Sequence, residues 1–216
     1  FHLLEAHSGG NHLNQIINHG YLAVDFFFML SGFVIGYAYD DRWNRMSTGT
    51  FFKRRLIRLQ PMVVMGSIVG AALFWFQDAP CYPAMEGVSA GAVLLVMLLG
   101  CTLLPLPLKW DVRGWMEMHP LNGPAWSLYY EYIGNILYAL FIRKFSKTAL
   151  TVLVAIAACF TVHRCLTAPA GDIVGGWALN WEQQYVGLVR LMYPFFGGLL
   201  LSRLGWLIRT RKNAFG

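Results

Sequence analysis

The feature that most constrains this chain is an apolar run from Tyr21 to Tyr39 in which Asp25 is the only charged residue. About 20 consecutive apolar residues cross the hydrocarbon core of a bilayer, so the run predicts a membrane-spanning helix. Composition agrees, because 56% of the 216 residues are hydrophobic and only 13% are charged, far from the balance of a soluble domain. We therefore expect an all-α, polytopic helical membrane protein.

Five further apolar runs follow along the chain. With the first, they predict about six spans within one integral membrane domain that covers residues 1–216. The chain starts at Phe1 without an initiator methionine, so we expect it to be a fragment that lacks most of an earlier span. We expect Pro61 to occupy the first turn of its helix, where proline is tolerated. The runs are Pro61 to Phe76, Val88 to Leu104, Ala125 to Ile142, Ala149 to Leu166 and Val186 to Leu204.

The positive charges do not fit six simple crossings. Cytoplasmic loops of membrane proteins are enriched in Lys and Arg. If Arg42 to Arg58 is cytoplasmic, two full crossings between 61 and 104 would place Arg143 to Lys147 on the opposite side. Either one of these runs is not a full crossing, or residues 105–124 contain a re-entrant pass, which is tolerated where it lines a cavity.

Asp25 is predicted to lie at membrane depth. A charge at the centre of a bilayer costs roughly 2.5 to 3.5 kcal/mol on insertion scales, so such a residue normally faces protein or water and has a function. The alternative is that Asp25, close to the helix start, caps the helix or pairs with a cation. Gly32 and Gly36 share the helix stripe of Asp25 and Met29, which predicts the close approach of another helix.

A dense basic cluster follows the first apolar run, formed by Lys53, Arg54, Arg55 and Arg58. If this segment is helical, Arg54 and Arg58 project from one face, with Arg55 beside Arg58. Two interpretations remain open and are compatible. The cluster can mark a cytoplasmic loop, and its guanidinium groups can bind phosphate oxygens with paired hydrogen bonds.

A second buried acid lies in the run that starts at Ala125. Ser127, Glu131 and Asn135 recur every fourth residue and form a polar row on an otherwise apolar helix, so this row must face a partner or a cavity. Glu131 is the candidate functional residue, and the alternative is a structural salt bridge to an arginine of another helix. Trp126 and Tyr130 share the adjacent face and can anchor the helix or stack on a ligand.

Three sequence blocks together resemble membrane-bound acyltransferase family 3, whose members O-acylate sugars and other envelope molecules. The first runs from Gly20 to Phe33, with Ala-Val-Asp, Phe-Phe and Leu-Ser-Gly-Phe at the family's spacing. The second is Arg54-Arg55 followed by Arg58 and Pro61, and the third runs from Asn122 to Glu131. The resemblance is strongest over residues 1–142.

The resemblance implies an acyl transfer from acyl-CoA, as a co-substrate rather than a permanently bound cofactor, to a hydroxyl group of a carbohydrate or envelope molecule. It implies acetyl as the acyl group and the bacterial inner (plasma) membrane as the location. It also implies that His2 acts as general base or acyl carrier, with Glu131 or Asp25 orienting its imidazole. The CoA phosphates would contact Arg54, Arg55 and Arg58, and the substrate pocket would include Ser31, Trp126, Ser127 and Tyr130.

A transporter is the main alternative, with Asp25 and Glu131 as intramembrane proton or substrate sites. We expect no metal site, because His2, His7, His12 and His19 are five, five and seven residues apart, so no two imidazoles lie one helical turn apart. A structural or interfacial role for His2 also stays open. The bilayer is the expected partner, and no basic stripe calls for nucleic acid.

Overall fold

The computed structural model describes residues 18–77 and 87–205, and this part of the chain is helical without strands. Side chains of Ser47, Ser89, Ser146 and Asn180 each accept a hydrogen bond from a backbone N–H at the start of the helix that follows, which fixes where those four helices begin. The α-helices are α1 (Ala23–Tyr39), α2 (Thr48–Phe76), α3 (Ala90–Gly100), α4 (Ala125–Leu140), α5 (Lys147–Thr167) and α6 (Trp181–Leu204).

Helices α1 and α6 form the most extensive helix pair and run parallel. A Cβ atom on Gly32 would overlap the carbonyl oxygen of Phe195, and one on Gly198 would overlap that of Met29. Gly36 likewise lies against α6, so the predicted close approach at Gly32 and Gly36 is confirmed. The core around this pair includes Phe28, Ile35, Tyr130, Leu191, Phe195 and Leu199.

Four helices are long and apolar enough to cross a membrane: α1 with its flanking turns (Gly20–Arg42), α2, α5 and α6. The expected number of about six is not confirmed. Helix α3 has 11 residues and therefore extends roughly 16 Å, about half of the hydrocarbon core. Helix α4 has 16 residues and carries the polar row, which makes it less apolar than a typical span.

Helix α3 enters the bundle beside α2 and ends about halfway along it, where the side chain of Gln60 donates a hydrogen bond to the Cys101 carbonyl. The chain then returns, since Lys109 to Val112 line a shallow cavity together with Gly87 to Ser89, at the start of α3. The chain then enters the bundle a second time, and Leu121 lies against Gly70 before α4 begins. The run 88–104 is therefore re-entrant in shape rather than a full crossing.

This path resolves the conflict in the positive charges. Helices α1, α4 and α6 all end on the same side of the bundle, where Tyr138 and Arg203 both contact Asp40. Helices α2 and α5 begin on that side. We call it the basic end, and it carries Arg42, Arg45, Arg143, Lys144, Lys147 and Arg203.

Pro61 lies inside α2 and not in its first turn, so that prediction is wrong. The helix begins earlier, because Ser47 caps it and because Phe51, Arg55, Leu59 and Val63 form one buried stripe that runs through the proline. Proline is tolerated within membrane helices, where neighbouring groups satisfy the freed backbone. As a result, the basic cluster occupies the first turns of a spanning helix rather than a loop.

Candidate active site

Ser31, Arg55 and Glu131 meet where α1, α2 and α4 converge. The Ser31 hydroxyl donates a hydrogen bond to Oε1 of Glu131 at 2.6 Å, and Nη2 of Arg55 contacts the same oxygen at 2.5 Å. Nη2 also lies 3.4 Å from the Ser31 hydroxyl oxygen. One carboxylate oxygen of Glu131 is thus held by a cation and a hydroxyl group. We call these three side chains the Glu131 cluster.

Arg55 is separated from Arg54 and Arg58 by the geometry of α2. Its side chain points into the bundle and is fully buried, whereas Arg54 and Arg58 are exposed. The reason is the helical period: Arg55 is four residues from Phe51 and from Leu59, which are both buried. The three arginines predicted to contact one ligand are therefore divided between two faces of the helix.

The guanidinium of Arg55 is only partly satisfied. Within the described ranges, its Nε and Nη1 atoms are buried and have no hydrogen-bond partner, while Nη2 makes both contacts of the cluster. The Glu131 side chain is 15% exposed, so the cluster is accessible at its carboxylate and closed at its guanidinium. The sequence left open a salt bridge between Glu131 and an arginine of another helix. The structure contains this salt bridge, and Arg55 is the arginine.

Asp25 lies in a second ion pair, with Arg190 of α6. Nε and Nη2 of Arg190 donate to the two Asp25 oxygens at 3.3 and 2.7 Å, and further bonds reach the carbonyls of Gly175 and Tyr21. The guanidinium also lies 4.9 Å from the centre of the Trp126 ring. The structure therefore pairs Asp25 with a cation, which is the alternative left open by the sequence, and Arg190 itself is buried.

The other predicted pocket residues have different surroundings. Trp126 packs edge-on against Phe28 and Tyr130, and the Tyr130 side chain is fully buried in the core. The Ser127 hydroxyl donates to the Pro124 carbonyl at the start of its own helix. Of the residues predicted to line a substrate pocket, the geometry brings only Ser31 to the Glu131 cluster.

Three of the four N-terminal histidines, including His2, lie outside the described residues, so the predicted catalytic role of His2 stays a prediction. Within the described part, no three His, Cys, Asp or Glu side chains come together as a metal site. The polar row of α4 is otherwise used internally: Asn135 is buried and donates to the Glu131 carbonyl at 2.7 Å.

Sequence reasoning missed Arg190 and Arg203 as partners of acids. Arg203 binds Asp40 through Nε at 2.6 Å, and Tyr138 donates to the same carboxylate at 2.7 Å. Both arginines contact acids of α1 or of its C-terminal flank. Their separation of 13 positions is about 3.6 helical turns, so the helical period gives no signal that places them on one face.

Together, the apolar bundle and its buried carboxylate–arginine clusters define a polytopic helical membrane protein with a candidate site at the junction of three helices. The chain belongs to the acyltransferase 3 family: the family's sequence model, described as an acyltransferase domain, matches residues 1–215. The family resemblance predicted from the sequence is thereby confirmed. This match favours an acyltransferase over the transporter interpretation.

Two curated relatives are similar to this chain. One is protein 2 in the picA locus of Rhizobium radiobacter, 33% identical over 126 residues, which are 55% of this chain and 64% of that protein. The other is acyltransferase MdmB of Streptomyces mycarofaciens, 28% identical over 138 residues, which are 64% of this chain and 32% of that protein. The matched regions thus span less than two thirds of either relative. No solved structure gives a significant match.

Proposed function

We propose that this protein is an integral membrane enzyme that moves an acyl group, acetyl above all, from acyl-CoA to a hydroxyl group of a carbohydrate or other envelope molecule. The observation that carries the proposal is the position of the Glu131 cluster: its Arg55 points into the bundle, whereas Arg54 and Arg58, the neighbouring arginines of the same helix, are exposed. Membership of the acyltransferase 3 family supports the reaction class, as does the name of the relative MdmB.

The basic end is proposed to face the cytoplasm, because Lys and Arg are enriched in cytoplasmic loops. Acyl-CoA is available on that side. Both relatives come from bacteria, which supports the inner membrane as the location. The donor would then approach the first turns of α2, where Arg54 and Arg58 lie.

Arg54 and Arg58 would hold the phosphates of the donor. They are four residues apart on the exposed face of α2, and among the described residues neither takes part in an ion pair. A guanidinium group presents a planar set of donors that matches phosphate oxygens. Two free cations at the proposed cytoplasmic surface suit a diphosphate group.

The proposed chemistry is general-base catalysis of acyl transfer. The acceptor oxygen attacks the carbonyl carbon of the thioester, and the acceptor proton passes to the imidazole of His2. The C–S bond then breaks, and the CoA thiolate takes up the proton from the imidazolium. Glu131 would orient that imidazole through Oε2, since Oε1 is engaged by Ser31 and Arg55. The role of His2 rests on the family resemblance.

The proposal is tested by acetyl-CoA consumption in membranes that contain the protein expressed from its full open reading frame. Wild type is compared with His2→Ala and with an Arg54→Gln plus Arg58→Gln variant. Each lost charged hydrogen bond is worth roughly 1.5 to 3 kcal/mol, so we expect the arginine variant to raise KM at least about tenfold with kcat little changed. We expect His2→Ala to lose turnover.

The matched control is Arg45→Gln, which removes an exposed cation from the basic end but not from the exposed face of α2. Its kinetics should equal those of wild type. A folded wild-type protein that neither binds nor consumes acyl-CoA would exclude the enzyme proposal. Asp25 and Glu131 would then be tested as transport sites by proton uptake into vesicles.

A further inference from the structure

The unsatisfied guanidinium of Arg55 is the most unusual polar group in the described part of the chain. Arg55 is fully buried, yet Nε and Nη1 have no acceptor there. Buried donors in native proteins almost always have partners, and each exception calls for an explanation such as a catalytic role. An oxygen atom of a substrate could accept hydrogen bonds from Nε and Nη1. It would then lie close to the Glu131 carboxylate, which the same arginine contacts through Nη2.

The charge of the cluster decides which acceptor fits. Arg55 and Glu131 neutralise each other at 2.5 Å. A phosphate entering this buried position would therefore bring an uncompensated negative charge, which is costly in a low-dielectric interior. A neutral carbonyl oxygen satisfies the free N–H groups without that cost. The phosphates of the donor would instead bind the exposed Arg54 and Arg58.

We infer that Arg55 binds the carbonyl oxygen of the acyl thioester and stabilises the negative charge that forms on it, instead of binding a CoA phosphate. This inference rests on the proposed acyl transfer. When the acceptor oxygen bonds to the carbonyl carbon, the C=O electron pair moves to the oxygen, which becomes an oxyanion beside Nε and Nη1. Collapse of this intermediate re-forms C=O and expels the CoA thiolate, which is protonated by the base.

The positions of the cluster residues are consistent with this role. Ser31 and Glu131 retain partial exposure, so the acyl group would enter from their side and would displace the packing that covers Nε and Nη1 of Arg55. Ser31 and Glu131 hold Nη2, which fixes the plane of the guanidinium. Donors fixed in advance around a developing oxyanion stabilise the transition state more than the ground state.

The test compares Arg55→Lys with Arg58→Lys in the protein expressed from its full open reading frame. Lysine keeps the positive charge beside Glu131 but loses the fork of donors. We expect Arg55→Lys to lower kcat about a hundredfold, as the loss of an oxyanion donor does elsewhere, with KM for acetyl-CoA within about twofold. Arg58→Lys should raise KM and leave kcat close to wild type.

Binding of free CoA, which has no thioester carbonyl, provides a second readout. Arg55→Lys should bind CoA as wild type does, which also shows that it is folded. The Arg55→Gln plus Glu131→Gln variant replaces the ion pair by a neutral hydrogen-bonded pair and should keep the same CoA affinity. Arg58→Lys should bind CoA more weakly.

If wild type consumes acetyl-CoA, the proposed function stands, and either of two results would then overturn only the inference about Arg55. One is an unchanged kcat in Arg55→Lys. The other is CoA affinity that falls in the Arg55→Gln plus Glu131→Gln variant as far as in Arg58→Lys, which would make Arg55 a phosphate ligand. A wild type that neither binds CoA nor consumes acetyl-CoA would overturn the proposed function, and this inference with it.

Discussion

Asp25 and Arg190 are joined by two hydrogen bonds, at 3.3 and 2.7 Å, which tie the start of α1 to the first half of α6. Arg190 also donates to the carbonyls of Gly175 and Tyr21, so each of its nitrogen atoms has an acceptor. Both carboxylate oxygens of Asp25 are likewise engaged. This geometry suits a structural clamp better than a proton carrier.

The first prediction concerns this clamp. Arg190→Met leaves the Asp25 carboxylate buried without its cation, and breaking one side of a buried pair costs roughly 3 to 5 kcal/mol. We expect the free energy of unfolding in detergent to fall by about that amount. The Asp25→Asn plus Arg190→Met variant removes the unpaired charge and should recover much of the loss.

Denaturant-induced unfolding in micelles measures both variants. Lys144→Met serves as control, because Lys144 is exposed at the basic end. If Arg190→Met were as stable as wild type, the clamp would have no structural role, and Asp25 would return as a candidate for catalysis or transport.

The second prediction concerns the contact of α1 with α6. Gly198→Ala places a methyl group where the Met29 carbonyl lies, so the helices must separate. Overpacking of this kind costs typically about 1 to 3 kcal/mol. Gly197→Ala is the matched control on the same helix, since its Cβ would meet nothing within 4 Å. That change should be neutral or slightly stabilising, because alanine favours helix. Equal unfolding midpoints for the two variants would contradict the packing.

Much of the fold could be predicted from the sequence because it follows from local pattern. The apolar runs indicated helices, and the spacing of Gly32 and Gly36 indicated a close helix contact, which Phe195 and Leu199 provide. The polar row of α4 correctly predicted that Glu131 contacts a partner. The partner itself, Arg55, depends on how α2 is rotated and on tertiary packing.

The remaining errors have a common physical origin. Pro61 suggested a helix start, but the buried stripe of α2 continues through it. The nearby arginines Arg54, Arg55 and Arg58 suggested one ligand-binding site, although a helix turns about 100° per residue and directs Arg55 inward. The inward position could have been noticed, since Phe51 and Leu59 are apolar and four residues away on either side. Arg190 had no such local signal.

The third prediction concerns Ser31. Its hydroxyl donates to Oε1 of Glu131 at 2.6 Å, and a hydrogen bond to a charged group is worth roughly 1.5 to 3 kcal/mol. We expect Ser31→Ala to lower kcat for acyl transfer by about tenfold or more, because the carboxylate is then held by Arg55 alone. Ser127→Ala is the control, as its hydroxyl contacts only the Pro124 carbonyl among the described residues, and it should retain wild-type kcat. A Ser31→Ala variant with unchanged kcat would show that the carboxylate does not need this donor.

The last prediction concerns the path of the chain across the membrane. Lys109, which follows the re-entrant segment, and Ala170, which follows α5, lie at the end of the bundle opposite the basic end, and both are exposed. Lys144 is exposed at the basic end. If α3 only enters and returns, single cysteines at Lys109 and Ala170 should be labelled in intact cells by a membrane-impermeant maleimide, and a cysteine at Lys144 only after permeabilisation.

This experiment requires that the four native cysteines first be replaced by alanine. A full crossing by residues 88–104 would instead change the side of everything that follows, so Lys109 and Ala170 would be labelled only after permeabilisation and Lys144 would be labelled in intact cells. That reversed labelling pattern would contradict the re-entrant path. Labelling of Lys109 and Ala170 together in intact cells requires α3 to stop halfway, which the Gln60 hydrogen bond to Cys101 explains.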